Sequence, residues 1–182
     1  MVNIYKLKLT ILQYEILRVL FMKAEITFTA RALAKALEVS QPAISKALPA
    51  LEKEGFITVR KDKESKRLSI RLNKVNKRVM ELKRSENLKM LYESGLPDFL
   101  EEELPGATII LFGSYSRGDD TSVSDIDIAV IGRKEKEIDL AQFERILGKK
   151  ITMNFYDSLE TVHKSLRENI CNGIVLTGGI EL

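Results

Sequence analysis

An α+β chain of two parts, an N-terminal helical half closed by a hairpin and a small mixed-sheet α/β half after it, is predicted by three observations. Apolar residues recur at helical spacing from Leu9 and then switch to alternation before residue 73. After residue 106, short apolar strands are separated by helical patterns. Charge divides in the same way: the 182 residues carry a net +3, with 20 Lys and Arg against 10 Asp and Glu in residues 1–95, and 9 against 16 in residues 96–182. The first half is therefore suited to a polyanion. The second must recruit metal or basic side chains before it could hold an anion. The expected domains are 1–74 and 106–182, with a connecting helix and linker over 75–105.

Bulk composition narrows the class. Hydrophobic content of 45% and charged content of 30% describe a globular protein, and no apolar run approaches the ~20 residues of a membrane span. The N-terminal segment is too short and polar for a signal peptide, so a cytoplasmic location is expected. The lone Cys171 excludes an internal disulfide. With His163 as the only histidine, a zinc site would be almost all carboxylate.

In the basic half, Leu9 to Met22 places Ile11, Leu12, Ile16, Leu17, Val19 and Leu20 on a helical stripe, with Gln13, Glu15 and Arg18 outside. Ile26 to Phe28 reads as a short extended segment. Thr29 is suited to cap a helix from Ala30 to Leu37, and Ser40 one from Gln41 to Glu54, with Pro42 harmless in the first turn. Gly55 stops it. Phe56–Val59 and Leu68–Leu72 read as strands joined by the charged loop Arg60 to Arg67.

Helix, short strand, helix, turn, helix, hairpin is the order of a winged helix-turn-helix, whose third helix enters the major groove of double-stranded DNA. Gln41, Ser45 and Lys46 are its exposed early residues; Gln41 is suited to a base edge, Ser45 to a base or a phosphate. Lys61, Lys63, Lys66 and Arg67 on the wing suit phosphates or the minor groove. The phrases Ser40 to Lys46 and Leu51 to Ile57 make residues 8–73 resemble the winged helix-turn-helix regulators of archaea and bacteria. A packing or protein-binding role for this half is the alternative. The helical stretch Val75 to Tyr92 suggests a homodimer, or serves as a spacer.

In the acidic half, the strand Thr108 to Phe112 runs into Gly113-Ser114, followed by Arg117-Gly118-Asp119 and Ser124-Asp125-Ile126-Asp127. Alternation puts Asp125 and Asp127 on one strand face, with Ile126 and Ile128 in the core. Two like charges so close call for a cation, and a magnesium ion carrying a nucleoside triphosphate matches their hard oxygens. This pattern resembles the minimal nucleotidyltransferases, of the superfamily that includes DNA polymerase beta, over about residues 107–178. The resemblance implies that Gly113 lets the backbone approach the triphosphate, that Ser114 adds a hydroxyl, and that Arg117 meets phosphate or an acidic neighbour. Asp125 and Asp127 would be the metal and catalytic carboxylates for transfer of a nucleoside monophosphate to a hydroxyl. A helical toxin-type protein partner is also implied by the resemblance alone.

Such a site wants a third carboxylate on the strand Ile151 to Tyr156. The resemblance implies that it stands where this chain has Thr152, with Asn154 two residues further along the same face, and the nearest acid, Asp157, reads as a cap for a helix from Ser158 to Glu168. Two readings follow. One is a DNA-binding nucleotidyltransferase; the other is a transcriptional regulator whose second domain is catalytically inactive and senses a nucleotide or docks a partner. Elsewhere, Leu140, Phe143, Ile146 and Leu147 mark a helix packed on the sheet, and Asn172 to Leu176 a closing segment. His163 on its helix and Cys171 read as structural. Tyr115 and Tyr156 are either core residues or flank a base. No Walker loop or dinucleotide fingerprint occurs.

Overall fold

A computed structural model describes residues 8–62 and 67–180, which fall into two compact units, residues 1–79 and 80–182. Lys63 and Lys66 of the expected wing lie outside the described residues.

In the first unit, α1 (Ile11–Met22) begins two residues later than the periodicity suggests. Thr10 explains the start: its hydroxyl accepts from Gln13 N at 3.2 Å while the Gln13 side chain accepts from Thr10 N at 2.9 Å, satisfying two orphan donors. Gln13 is thus not on the outer face. It is buried, and its Nε2 donates to the Ala47 carbonyl at 3.3 Å, whereas Ile11, in the first turn of the apolar stripe, is 85% exposed. Thr29 caps α2 (Ala30–Ala36) through Ala32 N, and Glu38, at φ +53°, turns the chain towards α3 (Gln41–Lys53). Ser40 caps α3 through Ala43 N at 3.3 Å. Pro49 lies inside α3 and denies the Ser45 carbonyl its usual i+4 donor.

Gly55, at φ +72°, ends that helix. Strands β1 (Ile57–Lys61) and β2 (Leu68–Leu72) pair antiparallel from Ile57 opposite Leu72 to Lys61 opposite Leu68. Phe56, expected in the first strand, is fully buried just before it. The extended segment before α2 contributes a single bridge, Phe28 to Ile70. Ile16, Leu20, Leu33, Ile44, Leu51 and Ile70 complete this core.

Helix α4 (Lys77–Glu93) carries the chain into the second unit, and Gly95, at φ +75°, precedes α5 (Leu96–Glu103). Leu91, Leu96, Leu100 and Leu104, all from the stretch expected to connect two domains, are buried members of the second unit's core. The strands are β3 (Thr108–Phe112), β4 (Ile126–Ile131), β5 (Ile151–Tyr156) and β6 (Ile174–Thr177), in the order β5-β4-β3-β6. β3 is antiparallel to both β4 and β6, and β4 is parallel to β5, joined through the crossover helix α7 (Ala141–Leu147). Alternation divides the strands between two apolar layers. Ile109, Leu111, Ile126, Ile128 and Val130 meet α4, α5 and α7. Ile110, Phe112 and Ala129 meet Val162 and Ile170 on the other side.

Two helical expectations are corrected here. Residues 158–168 do not form one helix: a 3₁₀ turn (Leu159–Thr161) is followed by extended Val162 at ψ 134°, and the final helix starts only at Lys164. Burying Val162 against the sheet, at 5% exposure, holds this β-branched residue in extended backbone. His163 therefore occupies the N-cap position of that helix, exposed, with Nδ1 3.0 Å from Ser165 Oγ. Ile146, read as part of the apolar face of α7, is 59% exposed. Among the described residues no helix is long and apolar enough to cross a membrane.

Candidate functional site

The end of β3 brings the chain onto Gly113, the first residue of the short helix α6 (Gly113–Arg117). Gly113 has φ +75°, and a Cβ there would collide with the Asp127 carboxylate, meeting its Cγ at 3.2 Å. The turn thus demands glycine both for its conformation and for close approach. Asp127 sits in β4, opposite Phe112 of β3, and Asp125 lies just before that strand. Both carboxylates are half-buried.

Ser114 is half-buried in the first turn of α6, and Arg117 is exposed in the last. The Arg117 guanidinium donates to Asn169 Oδ1 at 3.1 Å and to Asp119 Oδ2 at 3.4 Å. Asn169 belongs to α8 (Lys164–Cys171). It carries no sequence signal of its own, because its role arises only when that helix packs beside α6.

Asp127 holds its proton to a higher pH than an ordinary aspartate. Partial burial is the main cause and the neighbouring Asp125 charge adds to it, while the positive charge of Arg117 pulls the other way. In β5, Thr152 stands opposite Asp127, and its hydroxyl donates to Asp125 Oδ2 at 3.3 Å. Asn154 stands opposite Ala129, further from the carboxylates. Among the described residues no group of three or more His, Cys, Asp or Glu side chains converges as for a metal. The pair fits one hard divalent ion shared with phosphate oxygens: two like charges held this close favour a cation between them, and Gly113 presents no side chain beside them. Such an ion, held by Asp125 and Asp127, would neutralise phosphate charge there.

Of the aromatic candidates, Tyr115 is 2% exposed, with its hydroxyl donating to the Asn87 carbonyl at 3.1 Å. It faces the core. Tyr156 packs on the layer around Ile110 and Phe112.

In the first unit, a cavity of about 630 Å³ opens between the starts of α2 and α3 and the wing. Gln41, Ser45, Lys61 and Arg67 line it, together with Arg31, which the sequence reading did not single out. Its position, just inside the Thr29 cap of α2, was the available signal. Lys46 is exposed on α3 outside this cavity's lining.

Comparison with known proteins accords with both units. The MarR family model matches residues 9–69, and the nucleotidyltransferase domain model matches residues 94–173. A putative protein adenylyltransferase of Methanocaldococcus jannaschii is 32% identical over 94 residues, 49% of this chain and 96% of that protein. The chain belongs to the nucleotidyltransferase domain family. It carries a MarR-like winged helix ahead of that domain. Among solved structures, MepR, a transcription regulator of the Staphylococcus aureus multidrug efflux pump MepA, is similar at 28% identity, covering 53% of this chain and 69% of its own, with a TM-score of 0.41. The adhesin competence repressor AdcR of Streptococcus pyogenes is similar at 22% identity, covering 56% and 70%, with a TM-score of 0.42. The nucleotidyltransferase match spans the Gly113-Ser114 turn, both aspartates and Thr152.

Proposed function

We propose that this protein is a DNA-binding transcriptional regulator whose nucleotidyltransferase-like domain binds a magnesium nucleoside triphosphate as a signal. The observation that carries this reading is the hydroxyl of Thr152 beside Asp127 and Asp125. Two carboxylates suffice to hold one metal–triphosphate complex. Activating an acceptor hydroxyl wants a further anionic group, and loss of an interaction made only in the transition state lowers turnover by orders of magnitude. Gly113, Ser114 and Arg117 would contact the phosphates. Gln41, Ser45, Lys46, Lys61, Lys63, Lys66 and Arg67, with Arg31, would meet DNA, as a homodimer on a two-fold site.

Calorimetry with ATP, GTP, CTP and UTP, with and without magnesium, tests the proposal. Magnesium-dependent binding of at least one triphosphate is expected, abolished in Asp125→Asn/Asp127→Asn. A second reading, nucleotidyl transfer, is favoured by the coverage of nearly the whole M. jannaschii relative. Incubation with α-labelled triphosphates separates the two: label on protein, RNA or a small product supports transfer, and binding without labelled product supports the sensor.

A further inference from the structure

Beneath the α6 turn lies a group of buried charges that neither reading uses. Lys83 of α4 is fully buried, Asp120 is 2% exposed, and the two form an ion pair through Asp120 Oδ1. Lys149, whose side chain is 7% exposed, meets the other oxygen of the same carboxylate at 3.2 Å. Asn87 adds a hydrogen bond to Asp120 Oδ1 at 2.7 Å and one to the Tyr115 carbonyl at 3.0 Å. Burial lowers the proton affinity of Lys83, and the Asp120 carboxylate opposes that shift.

What this group holds is the loop between the two halves of the candidate site. Besides Asp120, Lys149 donates to the Thr121 carbonyl and, at 3.2 Å, to the Ser124 carbonyl. Ser124 immediately precedes Asp125. The Lys149 ammonium also lies 5.9 Å from the Tyr115 ring centroid, where a cation is attracted to the ring face. Gly118, which ends α6, sits so close to α4 that a Cβ would meet Met80 O and Arg84 N at 2.9 Å. The far end of α6 is therefore seated on α4, and the loop leading from it to Asp125 is tied to Lys149.

We propose that Lys149, braced by Asp120 and Lys83, is a positioning residue of the nucleotide site that fixes the Asp125 carboxylate relative to the Gly113-Ser114 turn. Two buried ammonium groups on one carboxylate are a costly way to stabilise a fold, since apolar side chains of similar volume often do as well. They do offer several directed hydrogen bonds to one short loop, which an apolar packing would not supply. The assignment rests on nucleotide binding by this domain.

The test compares the full chain with Lys149→Gln and Lys149→Arg, using magnesium triphosphate affinity alongside thermal stability. Leu100→Ala, a core variant remote from this loop in sequence, calibrates what lost stability alone does to affinity. Lys149→Gln is expected to bind about tenfold more weakly while folded, with Lys149→Arg recovering part of the loss because it retains the charge and multiple donors. Unchanged affinity in folded Lys149→Gln, or an equal loss in Leu100→Ala, overturns the assignment. If Lys149→Gln does not fold, Lys149→Arg decides: affinity equal to the unaltered chain together with normal amide exchange at Thr121–Asp125 overturns it, and weakened binding with faster exchange there supports it. Absence of binding in the unaltered chain would instead overturn the nucleotide reading, and this assignment with it.

Discussion

Thr152 stands beside Asp127 in the parallel register of β4 and β5, and its hydroxyl donates to the Asp125 carboxylate at 3.3 Å. On the proposed reading, a neutral group thus stands where the resemblance to the nucleotidyltransferases implies a third carboxylate. Thr152→Asp should add that anion without altering the strand register. Titration with Mn²⁺ in the presence of triphosphate, followed by electron paramagnetic resonance, is expected to show one bound ion in the unaltered chain and two in the variant. Two ions in both would show that ligands other than Asp125 and Asp127 complete a second site.

Asp127 makes the site sensitive to pH. Its folded-state proton affinity is raised, chiefly by burial and then by Asp125, so the folded chain binds more protons than the unfolded one across that interval. Stability therefore falls as pH rises through the folded-state titration, and the relative advantage is fully present only below the ordinary aspartate value of about 3.9. Asp127→Asn is expected to raise the metal-free melting temperature at pH 7. Near pH 3 it should change little. A lower melting temperature at pH 7 would contradict the proposed desolvation of this carboxylate.

The backbone at Gly113 predicts a different failure. At φ +75°, with Asp127 in the way of a Cβ, Gly113→Ala should cost more than about 1 kcal/mol of stability and displace the Asp127 side chain. Denaturant unfolding measures the first effect, and loss of magnesium-dependent nucleotide binding the second.

Much of this architecture was legible because local chemistry and packing agree. Thr29, Ser40 and Gly55 act at helix ends where their side chains or backbone freedom suggest, and alternation in Ile126 to Ile131 separates the two apolar layers. Where the reading failed, tertiary contacts outweighed local pattern. Gln13 looks like a surface residue until α3 offers the Ala47 carbonyl. Residues 158–168 look helical until Val162 is pulled into the core. Within the site, the Gly113-Ser114 turn and the two aspartates form a local pattern, and Thr152 was legible as a departure from it. Asn169, Lys83 and Lys149 were not, because their partners lie 52, 37 and 29 residues away or on other elements.

The cavity bounded by Arg31, Gln41, Ser45, Lys61 and Arg67 yields a prediction about DNA. Affinity measured by mobility shift should fall steeply with salt, because phosphate contacts release counterions. Arg31→Ala/Lys61→Ala should weaken binding to all sequences and reduce the salt slope by roughly 2. Gln41→Ala should mainly relax preference among sites. An unchanged salt slope in the double variant would exclude these two side chains from phosphate contact.

The central claim is that nucleotide occupancy is read out as DNA affinity, and the most direct measurement is DNA affinity with and without each magnesium triphosphate. At least one triphosphate is expected to change affinity by roughly fivefold or more, with no such change in Asp125→Asn/Asp127→Asn and no label transferred from the α-phosphate. DNA affinity indifferent to all four triphosphates, or turnover of the bound nucleotide into a labelled product, would contradict it.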